Sequence, residues 1–355
     1  MKIVKNHIMF GAEDTNFIKK FGLSEALEMV ENFRTLNNLP FIYDSLQLAG
    51  FLDIPLGVMF RMVRKGCDSL YHPHTIKKKN GGERQLYSPY CVLKRCQSII
   101  LRDILMKLPV SKYATAYKPK VSIVDNANPH IGKKYLLKMD ITDFFDSISF
   151  EQVYCAAFNT RYFPKHIGVI LTNLCCRSYS LPQGAPTSPA ISNIVMKNFD
   201  NNVGKWCEER GISYTRYCDD LTFSSDKPLY HLYVKVKKML YNMNFEVNEN
   251  KTRFVTSASR QSVTGITVNQ KLTVSREYKR ELRQKIYYVL KFGVKSSLAY
   301  ETNGFLGDDV NAAATHMLNV LIGKINYLLS VEKGEGNNYF KKAKGILILL
   351  RDELE

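Results

Sequence analysis

The sequence predicts an α+β fold on three observations. Long stretches carry apolar residues at the 3.6-residue spacing of amphipathic helices, and short β-favouring runs lie between them. Two of those runs, Ile212 to Tyr217 and Leu221 to Phe223, meet at a bend made by Tyr217, Cys218, Asp219 and Asp220. A third strand-like run, Tyr135 to Met139, ends in Asp140 and is followed by Ile141-Thr142-Asp143-Phe144-Phe145.

The other elements follow in chain order. The first 70 residues read as helical, with Ser24 capping Glu25 to Phe33 and a second stretch over Ser45 to Val63. Thr75 to Tyr87 reads as a basic hairpin turning at Asn80-Gly81-Gly82, with Arg84 just past its tip. Val92, Leu93, Cys96, Ile99, Ile100 and Ile104 give one apolar helix face, closed by Pro109. Ser149 with Gln152 resembles a capping box opening a helix through Phe158, and a helical stretch follows to about Cys176. Leu181 to Pro189 is a loop dense in breakers, where Ser188 and Pro189 suit the N-cap and first position of a long helix. That helix has Ile191, Ile194, Val195, Phe199, Val203 and Trp206 on one face and Gly211 as terminator. Leu229 to Met243 reads as a helix, then Phe245 to Val247, Arg253 to Thr256 and Thr264 to Val268 as strands. Ser275 to Leu354 reads as almost wholly helical.

Composition narrows the function. Lys and Arg number 50 against 33 acids, a net charge of +17, which exceeds what solubility requires and implies a polyanionic partner. The basic residues recur at 77–79, 94–95, 133–134, 235–238, 276–285 and 341–344, a spread that suits a long groove. Any one of these clusters also reads as a solvated helix face. The eight cysteines have no CxxC spacing and read as reduced, buried thiols. No apolar run approaches the ~18 residues of a membrane span and no leader pattern is visible, so a cytoplasmic protein without a membrane partner is expected. Scattered histidines without HExxH spacing argue against zinc.

Asp219 and Asp220 at a hairpin tip repel each other unless positive charge lies close by. With Asp140 they form a candidate oxygen cage for Mg²⁺, and two ions so held, roughly 3.5–4 Å apart, support in-line phosphoryl transfer. The competing reading is a solvated acidic turn; the aromatic and apolar flanks and the second strand-end acid favour the site. Gly184, between Gln183 and Ala185, removes a side chain where another backbone or a bound base could approach, and Gln183 offers a donor and an acceptor.

The order Lys-Met-Asp-Ile-Thr-Asp-Phe-Phe, Leu-Pro-Gln-Gly-Ala-Pro-Thr-Ser-Pro, Tyr-Cys-Asp-Asp resembles the reverse transcriptase family over nearly the whole chain. Asn126-Ala127-Asn128-Pro129-His130 and Val263-Thr264-Gly265 resemble the bacterial retron branch. Leu321 to Tyr327 looks like the thumb helix of retron and group II intron enzymes. The resemblance implies a right-hand polymerase: an N-terminal helical extension over 1–70, fingers over 71–135, a palm with an antiparallel sheet over 136–271 with a fingers insertion around 150–187, and a helical thumb over 272–355. It implies Asp140 and Asp219 as principal ligands of two Mg²⁺ ions, with Asp220 supporting and the Ile141 carbonyl adding an oxygen. Phe145 would be the gate that excludes a ribose 2′-hydroxyl, with Phe144 in the core. Lys78 and Arg84 would clamp the dNTP triphosphate, Gln183 would contact the nucleotide, and Lys251 would protonate pyrophosphate unless it is an ordinary surface lysine.

Asn126, Ala127, His130, Val263, Thr264 and Gly265 would help recognise the enzyme's own RNA; a buried Asn and His satisfied by backbone is the equal alternative. Cysteine at 218, where the family more often has alanine, is a departure expected to have little effect. Retron relatives copy part of a noncoding RNA into msDNA, priming from a guanosine 2′-hydroxyl, and act with an effector or toxin protein against phage. No ribonuclease H segment is expected. The alternatives are another reverse transcriptase lineage (group II intron-like, diversity-generating or abortive-infection), an RNA-dependent RNA polymerase, which would lack a bulky residue at Phe145, or a relict RNA-binding scaffold, which retention of all three acids disfavours.

Overall fold

In the computed structural model the described residues are 3–5, 8–10, 28, 38–64, 67–77, 81–302, 309–334 and 337–354. The expected helix capped by Ser24 lies outside them, as does Lys78. Two short strands, β1 (Ile3–Lys5) and β2 (Ile8–Phe10), pair antiparallel. The Ser45 to Val63 stretch forms two helices, α1 (Ser45–Phe51) and α2 (Leu56–Arg64). The break falls where Asp53 takes a positive φ of 54° and Pro55 follows, because proline cannot continue a preceding helix. Asp44, and not Ser45, caps α1 by accepting from the Leu46 and Gln47 N–H groups.

The basic hairpin is longer than expected. Strands β3 (Tyr71–Lys77) and β4 (Glu83–Pro89) pair antiparallel, with Ile76 opposite Arg84, and lead into α3 (Cys91–Asp103). Helix α3 buries Leu93, Cys96 and Ile100, whereas Val92 points outward. After α4 (Ile123–Ala127), strand β5 (Tyr135–Asp140) enters a four-stranded antiparallel sheet of order β6-β7-β5-β8. The other members are β6 (Ser213–Tyr217) and β8 (Arg253–Thr256) at the edges and β7 (Asp220–Ser225) between β6 and β5. Phe245 to Val247 is no strand; it touches the sheet through a single bridge, Val247 to Ile141.

Helices cover the sheet. Ser149 and Gln152 form the expected capping box of α5 (Phe150–Ala157), which α6 (Lys165–Cys175) follows. The expected long helix is two, α7 (Ser188–Val195) and α8 (Lys197–Glu208), joined at Met196. Ser188 is the first helical residue, not the cap, because its hydroxyl turns back to donate to the Pro182 carbonyl at 2.7 Å. Helix α9 (Tyr230–Tyr241) precedes β8. These elements share one core, in which Phe144, Phe223 and Phe245 are buried.

A second core belongs to the C-terminal helices α10 (Arg276–Phe292), α11 (Val294–Glu301), α12 (Val310–Val331) and α13 (Asn338–Asp352). It runs onto the back of the sheet through Ala127, Leu136 and the small hairpin of β9 (Ser262–Val263) and β10 (Ile266–Thr267). The expected strand from Thr264 therefore begins two residues later. Thr264 (φ 46°) and Gly265 (φ 84°) are both left-handed, as the two-residue turn of a tight hairpin requires. All eight cysteines are free; Cys91 and Cys155 are exposed and the other six are buried. Among the described residues no single helix is long and apolar enough to cross a membrane.

Candidate active site

The sheet register brings the three acids together. Asp140, the last residue of β5, lies opposite Asp220, the first of β7, and Tyr217 pairs with Asp220 across the two-residue turn Cys218-Asp219. The Ile141 N–H donates to the Asp219 carbonyl at 3.1 Å, which ties the turn to the end of β5. On the other side of Ile141, Asn248 N–H donates to the Asp140 carbonyl at 2.8 Å and Thr142 N–H to Glu246 at 2.8 Å. Neither of these bonds uses the Ile141 carbonyl.

The electrostatics match a site short of positive charge. Burial, with repulsion from Asp219, pushes the Asp220 carboxyl up to about 6. Burial also raises Asp140, although Lys251 opposes the shift. The Lys251 ammonium binds both Asp140 oxygens, at 2.9 and 3.0 Å, and this pairing raises Lys251 in turn. Lys251 therefore has a defined partner in the site. Among the described residues no three side chains converge as a ready-made metal cage. The donor set of hard carboxylate oxygens fits a hard divalent cation, and the Lys251 ammonium stands where positive charge is needed. A cation bound to Asp140 would displace that contact.

Phe145, five residues after Asp140, is half-buried, its ring 5.5 Å from that of Phe144, which is in the core. Arg84 is exposed on β4 and its charge reaches Asp140. The Gln183 carbonyl accepts from Tyr87 N–H at 2.7 Å, so the breaker-rich loop lies along β4, three residues past Arg84. A Cβ on Gly184 would sit 2.9 Å from the Tyr87 carbonyl oxygen, and its φ is +115°. It is thus another backbone that approaches Gly184. Cys218 takes a φ of 61°, Tyr117 donates a hydrogen bond to its sulfur at 3.3 Å, and burial pushes the thiol up to about 12.

Asn126, Ala127 and His130, expected either to help recognise RNA or to be buried and satisfied internally, are all buried. Asn126 accepts from the Thr115 hydroxyl at 2.7 Å and contacts Thr264 at 3.4 Å, joining the two retron-like motifs into one unit. Val263 is also buried; Thr264 is partly and Gly265 fully at the surface. His130 lies 2.7 Å from the Ser224 hydroxyl and 2.9 Å from that of Thr215, which itself donates to the Asn126 carbonyl. That order of donors assigns the proton to Nε2 and leaves Nδ1 as acceptor. The partners are side-chain hydroxyls on β6 and β7, not the backbone groups expected.

Burial holds His130 down to about 3, against an ordinary value near 6.5. Between those values the unfolded chain takes up a proton that the fold refuses, so stability falls as pH falls below about 6.5. At pH 5 the loss is about 2 kcal/mol relative to neutral pH. Urea unfolding at pH 7 and pH 5 should show this extra loss in the parent chain but not in His130→Asn. Equal losses in both would sink the assignment.

The sequence reading missed Arg216, Asp200 and Asn193. Arg216 and Asp200 are fully enclosed and paired at 2.7 Å. Strand β6 is buried at Tyr214, Thr215 and Arg216 in succession, so no alternation marked Arg216 as interior. The only signal was an opposite charge on each of two consecutive elements. The sequence reading also passed over the pair His72 and His74 on β3, whose rings lie 4.9 Å apart; His74 is occupied by Ser88 at 2.9 Å.

Comparison with known proteins agrees with this geometry. The family model described as reverse transcriptase (RNA-dependent DNA polymerase) matches residues 76–297. The retron Ec86 reverse transcriptase of Escherichia coli is 32% identical over 291 residues, covering 80% of this chain and 88% of that protein. The retron Mx65 reverse transcriptase of Myxococcus xanthus is 35% identical over 238 residues, covering 61% of this chain and 55% of that one. The retron Ec83 reverse transcriptase of Escherichia coli is 33% identical over 233 residues, covering 61% and 75%.

Proposed function

Because the chain belongs to the reverse transcriptase family and is a retron-type RNA-directed DNA polymerase, we propose that it copies part of its own structured noncoding RNA into msDNA, starting from an RNA 2′-hydroxyl. The observation that carries the mechanism is the register that sets Asp140 opposite Asp220 and bonds Ile141 to the Asp219 turn. In this reading β5 to β8 form the palm, the β3–β4 hairpin belongs to the fingers, and the helices from α10 onward form the thumb, within the boundaries 71–135, 136–271 and 272–355.

Asp140 and Asp219, with Asp220 and the Ile141 carbonyl, would hold two Mg²⁺ ions, which when bound lower the barrier for hydroxyl attack and offset charge on the leaving oxygen. The residues do the rest. Lys251 binds Asp140 and, once released by a bound cation, would give a proton to pyrophosphate. Arg84, with Lys78 beyond the described residues, would take the triphosphate oxygens, for which a planar guanidinium is well shaped. Gln183 would fix the nucleotide from the loop. The net charge of +17 supports an extended RNA partner. In the same reading the enzyme would act in the cytoplasm, with an effector protein, against phage.

Phe145 is the gate against ribonucleotides in this reading, since its half-buried ring stands five residues after Asp140. Phe145→Ala should raise the relative kcat/KM for rNTP over dNTP by roughly 10- to 100-fold. An unchanged ratio in an active variant would remove Phe145 from that role. The function itself is tested by purifying the protein with its bound RNA, adding Mg²⁺ and labelled dNTPs, and digesting with ribonuclease. A labelled DNA whose mobility shifts on ribonuclease treatment is expected; absence of label in DNA overturns the reading.

A further inference from the structure

Arg216 takes no part in the chemistry above, yet it makes more directed contacts than any one ion pair needs. Its Nε and Nη2 donate to the Asp200 carboxylate at 2.9 and 2.7 Å, and Nη2 also donates to Asn193 Oδ1 at 3.1 Å. Tyr214 gives Asp200 a further hydrogen bond at 2.7 Å. That leaves Nη1, which donates to the carbonyl of Cys218 at 2.9 Å. A planar guanidinium clamped on one edge can aim its remaining donor in only one direction.

The carbonyl it reaches belongs to the peptide joining Cys218 to Asp219. Cys218 has a φ of 61°, a conformation that a non-glycine residue keeps only when its surroundings impose it. The surroundings do so here at both ends of the turn: Arg216 holds the Cys218 carbonyl, and Ile141 N–H holds the Asp219 carbonyl. The plane of the 218–219 peptide fixes the direction in which the Asp219 side chain leaves the backbone. Asp200 stands on α8, which continues from the helix opened by the Gln183-Gly184 loop, so the clamp also links that loop's helices to the turn.

We propose that Arg216, locked by Asp200 and Asn193, is a positioning residue that sets the Cys218–Asp219 peptide and thereby aims the Asp219 carboxylate into the catalytic centre. The inference rests on the reading of Asp219 as a metal-holding residue. A buried ion pair by itself is replaceable by apolar residues of similar size without loss of stability. The clamp is not, because an apolar side chain has no donor for Cys218.

Two variants separate these roles. In Arg216→Met/Asp200→Leu both charges go together, so no buried charge is left unpaired. The thermal midpoint should fall by several degrees as Tyr214, Asn193 and Cys218 lose a partner. The variant should still fold, and kcat for DNA synthesis should fall about 10- to 100-fold, the scale of an ångström-level misplacement. KM for dNTP should change less than about threefold, and half-saturating Mg²⁺ should rise. Arg216→Lys keeps the cation but cannot serve three acceptors in one plane; it should fold and show a smaller kcat loss in the same direction. Asp219→Asn is measured alongside. If the parent makes DNA and Asp219→Asn does not, the catalytic reading stands. A folded Arg216 variant with parental kcat at ordinary Mg²⁺ then overturns the positioning role alone. If neither Arg216 variant folds, the pair is a folding element and the inference is likewise overturned. Should Asp219→Asn itself remain fully active, it is the catalytic reading that fails.

Discussion

Asp219→Asn should abolish RNA-templated DNA synthesis without disturbing the fold. Asparagine matches aspartate in size, and the bond that anchors the turn uses the Asp219 backbone carbonyl, not its side chain. The carboxylate is lost alone. A metal-holding charge is worth several kcal/mol in a phosphoryl-transfer transition state, which corresponds to a rate loss on the order of 10³-fold or more. Stability should move the opposite way or not at all, since Asp219 repels Asp220 and helps hold its carboxyl near 6. Removing that repulsion lets Asp220 ionise closer to the ordinary carboxylate range. Single-turnover extension on the co-purified RNA and a thermal melt in metal-free buffer check both halves. Residual synthesis within about tenfold of the parent would show that the side chain carries no essential charge.

The acidic centre was legible in the sequence because its determinants are local. A strand run ending in Asp140 and a hairpin tip at 219–220 are each visible within a dozen residues, and antiparallel pairing brings strand ends to hairpin tips. Helix caps were legible for the same reason: the capping box at Ser149 and Gln152 is a four-residue pattern and is present as read. Breaks inside helices were harder. Met196 divides α7 from α8 with nothing in the apolar spacing to mark it, while Pro55 gave a warning that the leucine spacing of 45–63 masked.

What the sequence could not convey is long-range satisfaction of buried polar groups. For Asn126 and His130 the resemblance to the retron branch leaves RNA recognition and burial equally open. Their partners, Thr115, Thr215 and Ser224, stand up to 94 residues away. Arg216 and Asp200 are hidden for the same reason, for either charge read alone belongs at the surface. The buried polar residues of segment 126–130 are instead tied to β6 and β7. His130 braces the two strands that flank Asp219 and Asp220, while Asn128, Pro129 and the Thr264-Gly265 turn reach the outside.

Gly184→Ala should also be damaging, less than loss of an acid and by a different route. The backbone at Gly184 has a φ of +115°, in a region that L-residues seldom enter, and the strain of an alanine there is of order 1–3 kcal/mol. A methyl would in addition stand 2.9 Å from the Tyr87 carbonyl oxygen, a contact that real side chains avoid and that backbone cannot easily relieve. Relief requires the loop to move off β4, which breaks the 2.7 Å bond from Tyr87 N–H to the Gln183 carbonyl. Gln183 would then leave the position proposed for its contact with the nucleotide, and the alignment of loop and Arg84-bearing strand would be lost. The expected outcome is a thermal midpoint lower by several degrees together with a KM for dNTP raised on the order of tenfold, since what is displaced is a binding group and not a metal ligand. Steady-state extension across a dNTP series, with differential scanning calorimetry of the same sample, measures both. A variant with parental KM and parental melting would mean that the loop and β4 part without consequence, and that Gln183 does not act from where the register holds it.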